Sequence, residues 1–216
     1  MKRDHGGDID RAIARHGDGD WIDLSTGINR RPWPVDRLPD AAWRALPTAS
    51  ATARLAEVAA AWFCCDPARV LPVAGASAAI QTIPRLLPRG RAAVIAPSYN
   101  EHAAGLTAAG WQVDPVPDIE AMAGADLGVV VNPNNPDGRE WSPRTLAALA
   151  GRVGHLVIDE SFADPRPDLS LAANAPDNVL ILRSFGKFWG LAGLRLGFVI
   201  AAPALLDSLA AEIGPW

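Results

Sequence analysis

The chain has 216 residues, of which 49% are hydrophobic, and a formal net charge of -4. This length allows one substantial core with an appendage, and the absence of a basic tract or stripe excludes an obvious nucleic-acid or anionic-membrane partner. No apolar run approaches the roughly 18 residues of a membrane span, and the polar start lacks the apolar stretch of a secretory signal. We therefore expect a globular protein of the cytoplasm.

The first segment, residues 1–47, is rich in Gly, Asp, Pro and Arg, which predicts an irregular arm with one short helix. Periodic apolar residues begin near Ala53. Four of them share one stripe of a predicted helix that ends by Asp66: Leu55, Val58, Ala59 and Trp62. We therefore divide the chain into an arm, residues 1–47, and an α/β domain, residues 48–216.

Seven short extended segments follow, and spacers of helix length separate most of them. They are residues 70–73, 91–96, 111–115, 127–131, 155–159, 178–184 and 196–201. Helices are predicted at residues 77–87, at residues 101–109 and after Ser142, with Pro143 as the first helical residue. Strands that are apolar on both faces and alternate with helices predict a mostly parallel sheet covered on both sides, a three-layer α/β/α domain.

Polar residues follow several of these strands, and ligands of parallel α/β sheets bind at that edge. The groups are Gly75, Ala76 and Ser77; Pro97, Ser98 and Tyr99; residues 132–135; Asp159 and Glu160; and residues 184–187. Each group alone is ordinary turn chemistry. Together they predict one site at the carboxyl edge of the sheet.

The cysteines and the remaining histidines receive structural interpretations. Cys64 and Cys65 are neighbours in an apolar, helix-like run, so we interpret them as buried free thiols rather than as a disulfide or a metal site. The sequence offers no partner to His16, His102 and His155, which we interpret as structural or exposed. No metal site is predicted.

The order of the strand-end motifs resembles the fold-type I enzymes that use pyridoxal 5′-phosphate (PLP), specifically the class I and II aminotransferases. The motifs are Gly-Ala-Ser, Pro-Ser-Tyr, Asn-Pro-Asn-Asn-Pro-Asp-Gly, Asp-Glu-Ser-Phe, Ser-Phe-Gly-Lys and Gly-Leu-Arg-Leu-Gly, between residues 52 and 216. The resemblance implies the large PLP-binding domain of that fold and a homodimer. It also implies a C-terminal small domain, which this chain does not contain.

Each chemical feature of PLP has a candidate partner in the sequence. Lys187, which follows an apolar strand, is predicted to hold the aldehyde as a Schiff base. Asp159 is predicted to keep the ring nitrogen protonated, so that the ring can act as an electron sink. Asn135 is a donor for the 3′ oxygen, and Tyr99 is a ring that stacks on the cofactor. The predicted phosphate cup contains Gly75, Ala76, Ser77, Ser184 and Arg195.

Two stretches of the arm are similar to one branch of this superfamily, the L-threonine-O-3-phosphate decarboxylases of cobalamin biosynthesis. His5 and Gly6 begin a His-Gly-Gly segment that in this branch touches substrate, and Gly27 falls at a second substrate-contacting position. Phe162 stands where most aminotransferases have a tyrosine that bonds the 3′ oxygen. The resemblance implies a phosphorylated amino acid as substrate, bound by His5, Gly6, Gly27 and Asn135.

The implied reaction is decarboxylation of L-threonine O-3-phosphate to (R)-1-amino-2-propanol O-2-phosphate. Motifs around the cofactor do not separate it from transamination by an enzyme of the histidinol-phosphate type, because that choice depends on which bond is aligned with the π system. A third alternative is an inactive protein of this fold with a binding role. The family pattern continues past residue 216 to substrate-binding arginines, so we expect this chain to bind PLP weakly and to turn over slowly or not at all.

Overall fold

Seven strands form one sheet at the centre of the protein, whose computed structural model describes residues 6–214. The strands are β1 Val70–Val73, β2 Arg91–Ile95, β3 Gln112–Val116, β4 Leu127–Val131, β5 His155–Asp159, β6 Val179–Ser184 and β7 Gly197–Ile200. Each coincides with a predicted segment to within one residue at either end. His5, a predicted substrate residue, lies outside the described residues.

The order of the strands places several chain connections at one edge of the sheet. The order is β1-β7-β6-β5-β4-β2-β3, and only β7 is antiparallel to its neighbours. Because β7 runs against β6, Ser184 at the end of β6 pairs with Gly197 at the start of β7. The intervening residues 185–196, which include Lys187, therefore form an excursion at the carboxyl edge of the parallel strands.

Helices cover both faces of the sheet. They are α1 Ile9–His16, α2 Ala41–Arg44, α3 Ala49–Phe63, α4 Ala76–Leu86, α5 Asn100–Ala108, α6 Pro143–Ala150 and α7 Pro203–Ile213. The predicted cap of α6 is confirmed, since the Ser142 side chain accepts a hydrogen bond from the amide of Thr145. The arm has two short helices rather than one, and the sequence patterns do not predict α7.

The core consists of two apolar clusters, one on each face of the sheet. Neighbouring residues of one strand belong to different clusters: Ile158 packs with α3 and α6, whereas Val157 packs with α4 and α7. This division explains why the strands are apolar at successive positions, because both of their faces are covered. The predicted three-layer α/β/α architecture is confirmed.

The buried face of α3 differs from the predicted stripe. Ala60 and Phe63 are buried, whereas Val58 and Trp62 are 54% and 56% exposed. The ring of Phe63 packs edge-on against Phe198 of β7, with ring centroids 5.6 Å apart. The contact with the sheet therefore selects a face of α3 that the apolar pattern of the helix alone does not identify.

The interpretation of both cysteines as buried thiols is wrong for Cys64. This residue is exposed and forms the C-cap of α3 in a left-handed conformation, with φ of 55°. Cys65 is half-buried, and desolvation raises the pKa of its thiol to about 11. Cys64 is exposed because α3 ends at Phe63 and the chain turns away from the core at the next residue.

Within residues 6–47, the described part of the arm, no side chain is buried.

Over residues 6–214, no helix combines the length and the apolar character needed to cross a bilayer. The same part of the chain contains no group of three or more His, Cys, Asp or Glu residues arranged to hold a metal ion.

Candidate active site

The residues predicted to bind the cofactor line one cavity of about 230 Å³. They are Gly75, Ala76, Ser77, Tyr99, Asn135, Asp159, Ser184, Lys187 and Arg195. The residues lie at the carboxyl ends of β5 and β6, at the start of α4, and in the segments that follow β1, β2, β4 and β6. The structure therefore brings together every described residue of the predicted cofactor site, at the sheet edge where ligands of this architecture bind.

Asp159 is a buried carboxylate at the end of β5, with 3% of its surface exposed. Its Oδ2 lies 2.9 Å from Nε2 of His102, and its Oδ1 accepts a hydrogen bond of 3.0 Å from the amide of Ser161. Burial by itself raises the pKa of Asp159. The hydrogen bonds from His102 and Ser161, together with the electrostatic effect of His102, outweigh burial and lower the pKa. A carboxylate held in its anionic form can pair with a protonated ring nitrogen.

His102 is a site residue that the sequence interpretation missed. It is 4% exposed, and its ring lies 6.1 Å from that of Tyr99. The spacing of three residues between Tyr99 and His102 could have indicated this, because side chains at positions i and i+3 at the start of a helix share a face. His102 contacts the cavity residue Asp159, although His102 is not among the residues that line the cavity.

The amine of Lys187 lies between charged groups and an aromatic ring. Desolvation lowers the pKa of Lys187; the negative charge of Asp159 opposes this shift, and the positive charge of Arg195 adds to it. The Lys187 Nζ atom is 5.6 Å from the centroid of the Phe162 ring. A lowered pKa increases the neutral fraction of the amine, which is the form that attacks an aldehyde.

Two glycines bring the start of α4 close to Arg195. Gly75 has φ of 79°, and a Cβ atom there would lie 2.9 Å from Arg195 Nη2. A Cβ atom at Gly197 would lie 2.6 Å from the amide nitrogen of Ala76. A guanidinium beside the N-terminus of a helix is a suitable environment for a phosphate dianion. The donor set, and the space that only glycine leaves, fit the phosphate of PLP.

The asparagines after β4 have different roles. Asn132 is buried and exchanges hydrogen bonds of 3.0 Å with the backbone of Trp141 in both directions. Asn134 is also buried, and its side-chain oxygen accepts a 2.9 Å hydrogen bond from Ser98. Asn135 lines the cavity. Asn132 and Asn134 therefore hold the loop, and Asn135, the third asparagine of the run, is available to a ligand.

Strand alternation directs the neighbours of the site residues to the opposite face of the sheet. Glu160 and Arg183 form a buried ion pair of 2.8 Å, and Arg183 also contacts Asp164 at 2.6 Å. Burial raises the pKa of Glu160, and the nearby Arg183 opposes this shift. This group crosslinks the ends of β5 and β6, which carry Asp159 and Ser184.

The predicted substrate residues of the arm lie in two different places. A Cβ atom at Gly27 would lie 2.8 Å from Phe162 Cε1, and both residues line a second cavity that includes Lys187. Gly6 instead packs against the carbonyl oxygen of Ser25 and lines a cavity formed by the arm alone. The structure therefore brings Gly27 to the site and does not bring Gly6 there.

The sequence profile described as aminotransferase class I and II matches residues 20–216. This match covers most of the chain, and the chain belongs to that family of PLP-dependent enzymes. The resemblance found in the strand-end motifs is thereby confirmed, and with it the class of cofactor.

Among curated proteins, the chain is 46% identical to a threonine-phosphate decarboxylase of Sinorhizobium over 98% of its length. It is 43% identical to a threonine-phosphate decarboxylase of Pseudomonas aeruginosa over 99%. It is 38% identical to a histidinol-phosphate aminotransferase of Mycobacterium bovis over 68%. The chain spans 67%, 66% and 43% of these relatives, respectively.

Solved structures share the fold. The L-threonine-O-3-phosphate decarboxylase of Porphyromonas gingivalis superposes with a TM-score of 0.71 at 23% identity, over 82% of this chain and 60% of that one. The histidinol-phosphate aminotransferase of Sinorhizobium meliloti, in complex with pyridoxal-5'-phosphate, superposes with a TM-score of 0.70 at 25% identity. The second match covers 81% of this chain and 54% of that one.

Proposed function

We propose that this chain is the PLP-binding part of an enzyme that decarboxylates L-threonine O-3-phosphate to (R)-1-amino-2-propanol O-2-phosphate. The observation that carries the proposal is the extent of the similarity to the two decarboxylases. It covers 98% and 99% of the chain, whereas that to the M. bovis aminotransferase covers 68%. The arm, which distinguishes the decarboxylase branch in the sequence, is thus included in the first two matches.

PLP, when bound, supplies an electron sink for the pair released at the α carbon of an amino acid. Lys187 would hold its aldehyde, and Asp159 its ring nitrogen. Asn135 would donate to the 3′ oxygen, and Tyr99 would cover the ring. Residues around the start of α4, with Ser184 and Arg195, would hold the phosphate. The support for these roles is that the described chain places all these side chains on one cavity.

Asp159, Phe162 and Lys187 also determine which groups can hold or donate a proton in the cavity. Asp159 has a lowered pKa and remains anionic at neutral pH, so it retains a proton on a bound ring nitrogen rather than removing it. Phe162 has no hydroxyl, so the wall beside Lys187 offers no donor or acceptor there. We propose that Lys187 Nζ takes up the proton that the incoming substrate ammonium gives up, and that it would return this proton to the α carbon after carbon dioxide leaves.

The proposal is tested by a single-turnover experiment with the chain in excess, loaded with PLP and given threonine phosphate labelled at the carboxylate. Slow release of labelled carbon dioxide without an added 2-oxo acid is the expected result, since the chain is expected to bind PLP weakly and to turn over slowly. Conversion of histidinol phosphate with 2-oxoglutarate consumption, without carbon dioxide, would instead establish the aminotransferase. A folded chain that shows no PLP band reducible by borohydride would support a binding protein without catalysis.

Three finer statements accompany this proposal. The reaction product suits cobalamin biosynthesis, the cytoplasm would be its location, and the enzyme would act as a homodimer. The support for the last is the number of large apolar side chains exposed in the described chain, which include Trp33, Trp43 and Trp62 at 60%, 75% and 56%. Sedimentation of the PLP-loaded protein at two concentrations tests the dimer directly.

A further inference from the structure

Part of the arm, residues 29–33, lies against the loop that carries Lys187. The amide of Asn29 donates a hydrogen bond of 3.0 Å to the carbonyl of Lys187, and the amide of Trp33 donates one of 2.8 Å to the carbonyl of Trp189. The side-chain Nδ2 of Asn29 donates to the carbonyl between them, that of Phe188, at 2.9 Å. Three successive carbonyls of the loop are therefore bonded to the arm.

The contact is close enough to require glycine in the loop. Gly190 has φ of 68°, and a Cβ atom there would lie 2.7 Å from the carbonyl oxygen of Asn29 and 2.7 Å from Cα of Pro32. The rings of Trp33 and Trp189 also pack edge-on, with centroids 5.3 Å apart. No side chain at position 190 could be accommodated without moving the arm.

The loop also has supports outside the arm: the amide of Gly190 donates to the carbonyl of Lys187 at 3.2 Å, and the ring of Trp189 packs against those of Phe185 and Trp62. Residues 185–191 belong to neither helix nor strand, so their carbonyls are not part of a ladder. Lys187 Nζ faces the cavity, whereas the carbonyl of the same residue faces the arm. The arm therefore adds three hydrogen bonds to the backbone from which the reactive amine extends.

We infer that residues 29–33 are a positioning segment for Lys187, in which Asn29 and Gly190 determine how the amine is presented to the cofactor. This inference rests on the proposed role of Lys187 as the PLP lysine. It assigns a task to the arm that is separate from contact with substrate.

The first test compares Asn29→Asp with Asn178→Asp. Both changes replace an amide donor by a carboxylate; Asn178 donates to the carbonyl of Ala150 at 2.8 Å, beside the start of β6 at the opposite end from the site. Loss of one hydrogen bond should weaken the binding of PLP, measured as the fraction trapped by borohydride, about 2- to 10-fold in Asn29→Asp. Asn178→Asp should lower the melting temperature and leave PLP binding unchanged. Equal weakening in both variants, or in neither, overturns the inference.

The second test compares Gly190→Ala with Gly124→Ala. Both glycines have positive φ, 68° and 75°, so both substitutions carry similar backbone strain, but nothing lies within 4 Å of a Cβ atom at Gly124. Only Gly190→Ala should weaken PLP binding and increase hydrogen exchange at the amides of Asn29 and Trp33. Retained protection of both amides, with PLP binding as in Gly124→Ala, would contradict the inference.

These readouts separate the inference from the proposed function. Trapping of PLP and amide exchange do not depend on which reaction follows, so a missing decarboxylation leaves the positioning test intact. If Lys187→Ala traps PLP as fully as the unchanged chain, the proposed role of Lys187 is wrong. Protection of Asn29 and Trp33 against exchange would then still report whether the arm holds this loop.

Discussion

The arm and the sheet domain differ in how they are held. In the domain, two apolar clusters bury both faces of the sheet. In residues 6–47 no side chain is buried, and eight of the twelve large apolar side chains exposed in the described chain belong to this segment. The arm contacts the domain through a few specific places, Gly27 against Phe162 and residues 29–33 against the Lys187 loop.

This difference separates two kinds of function. The proposed cofactor groups come from strand ends, whose positions the core fixes. The predicted substrate contact Gly27 instead lies on the arm, which has no buried side chain among residues 6–47 and therefore little packing to hold it. We therefore expect changes in the sheet domain to affect the chemistry most and changes in the arm to affect affinity.

The largest effect is expected for Lys187→Ala. The chain contains two lysines, Lys2 and Lys187, so the site lysine can be tested against one control. Lys187→Ala should form no borohydride-stable adduct with PLP, measured by intact mass, because the attacking amine is removed. Lys2→Ala should form the adduct as the unchanged chain does. An adduct in Lys187→Ala would show that PLP reacts with another amine, and the assignment of Lys187 would be wrong.

Asp159→Asn should have the next largest effect. The change keeps the shape but removes the charge that pairs with a protonated ring nitrogen. A hydrogen bond to a charged group contributes about 1.5–3 kcal/mol, so single-turnover decarboxylation should slow by roughly 10- to 100-fold. Asp168→Asn, which removes a surface carboxylate paired with Arg166, is the control and should have no effect. Equal rates in the two variants would exclude a role for Asp159.

Gly27→Ala tests the contact between arm and domain. The new methyl group would lie about as close to Phe162 as the 2.8 Å calculated for a Cβ atom, so the arm must shift. Moving the arm away from Phe162 costs about 1 kcal/mol, which should weaken the binding of threonine phosphate about fivefold. The free energy of unfolding in urea should change little. Adding Phe162→Leu should restore affinity. Gly19→Ala, with nothing within 4 Å, is the arm control, and the same loss there would disprove the contact.

The smallest effect concerns the charge of Lys187 without PLP. Desolvation holds the pKa of this lysine below its usual 10.5, so between the two values the folded chain binds fewer protons than the unfolded chain. Stability against urea should therefore rise with pH as the pH approaches 10.5, the usual value that the unfolded chain retains. Lys187→Met should lack this rise, and Lys2→Met should keep it. An identical pH profile in Lys187→Met would show that burial does not perturb the amine.

The seven strands, the three-layer fold and most of the proposed cofactor residues could be predicted from the order of the amino acids alone. The physical reason is local: each strand is an apolar run bounded by turn residues, and the carboxyl ends of parallel strands meet at one edge. Eight of the nine residues could therefore be predicted as one group from the strand ends, and Arg195 was added as a candidate partner of the phosphate.

The contacts between distant segments, in contrast, could not be predicted and became evident in the folded chain. His102 pairs with Asp159 across 57 positions of sequence, and Asn29 bonds Phe188 across 159. The buried face of α3 is likewise set by Phe198 rather than by the helix pattern, and Cys64 is exposed because the helix ends before it. Such pairings depend on how completed elements pack against one another, which the periodicity of a single segment does not specify.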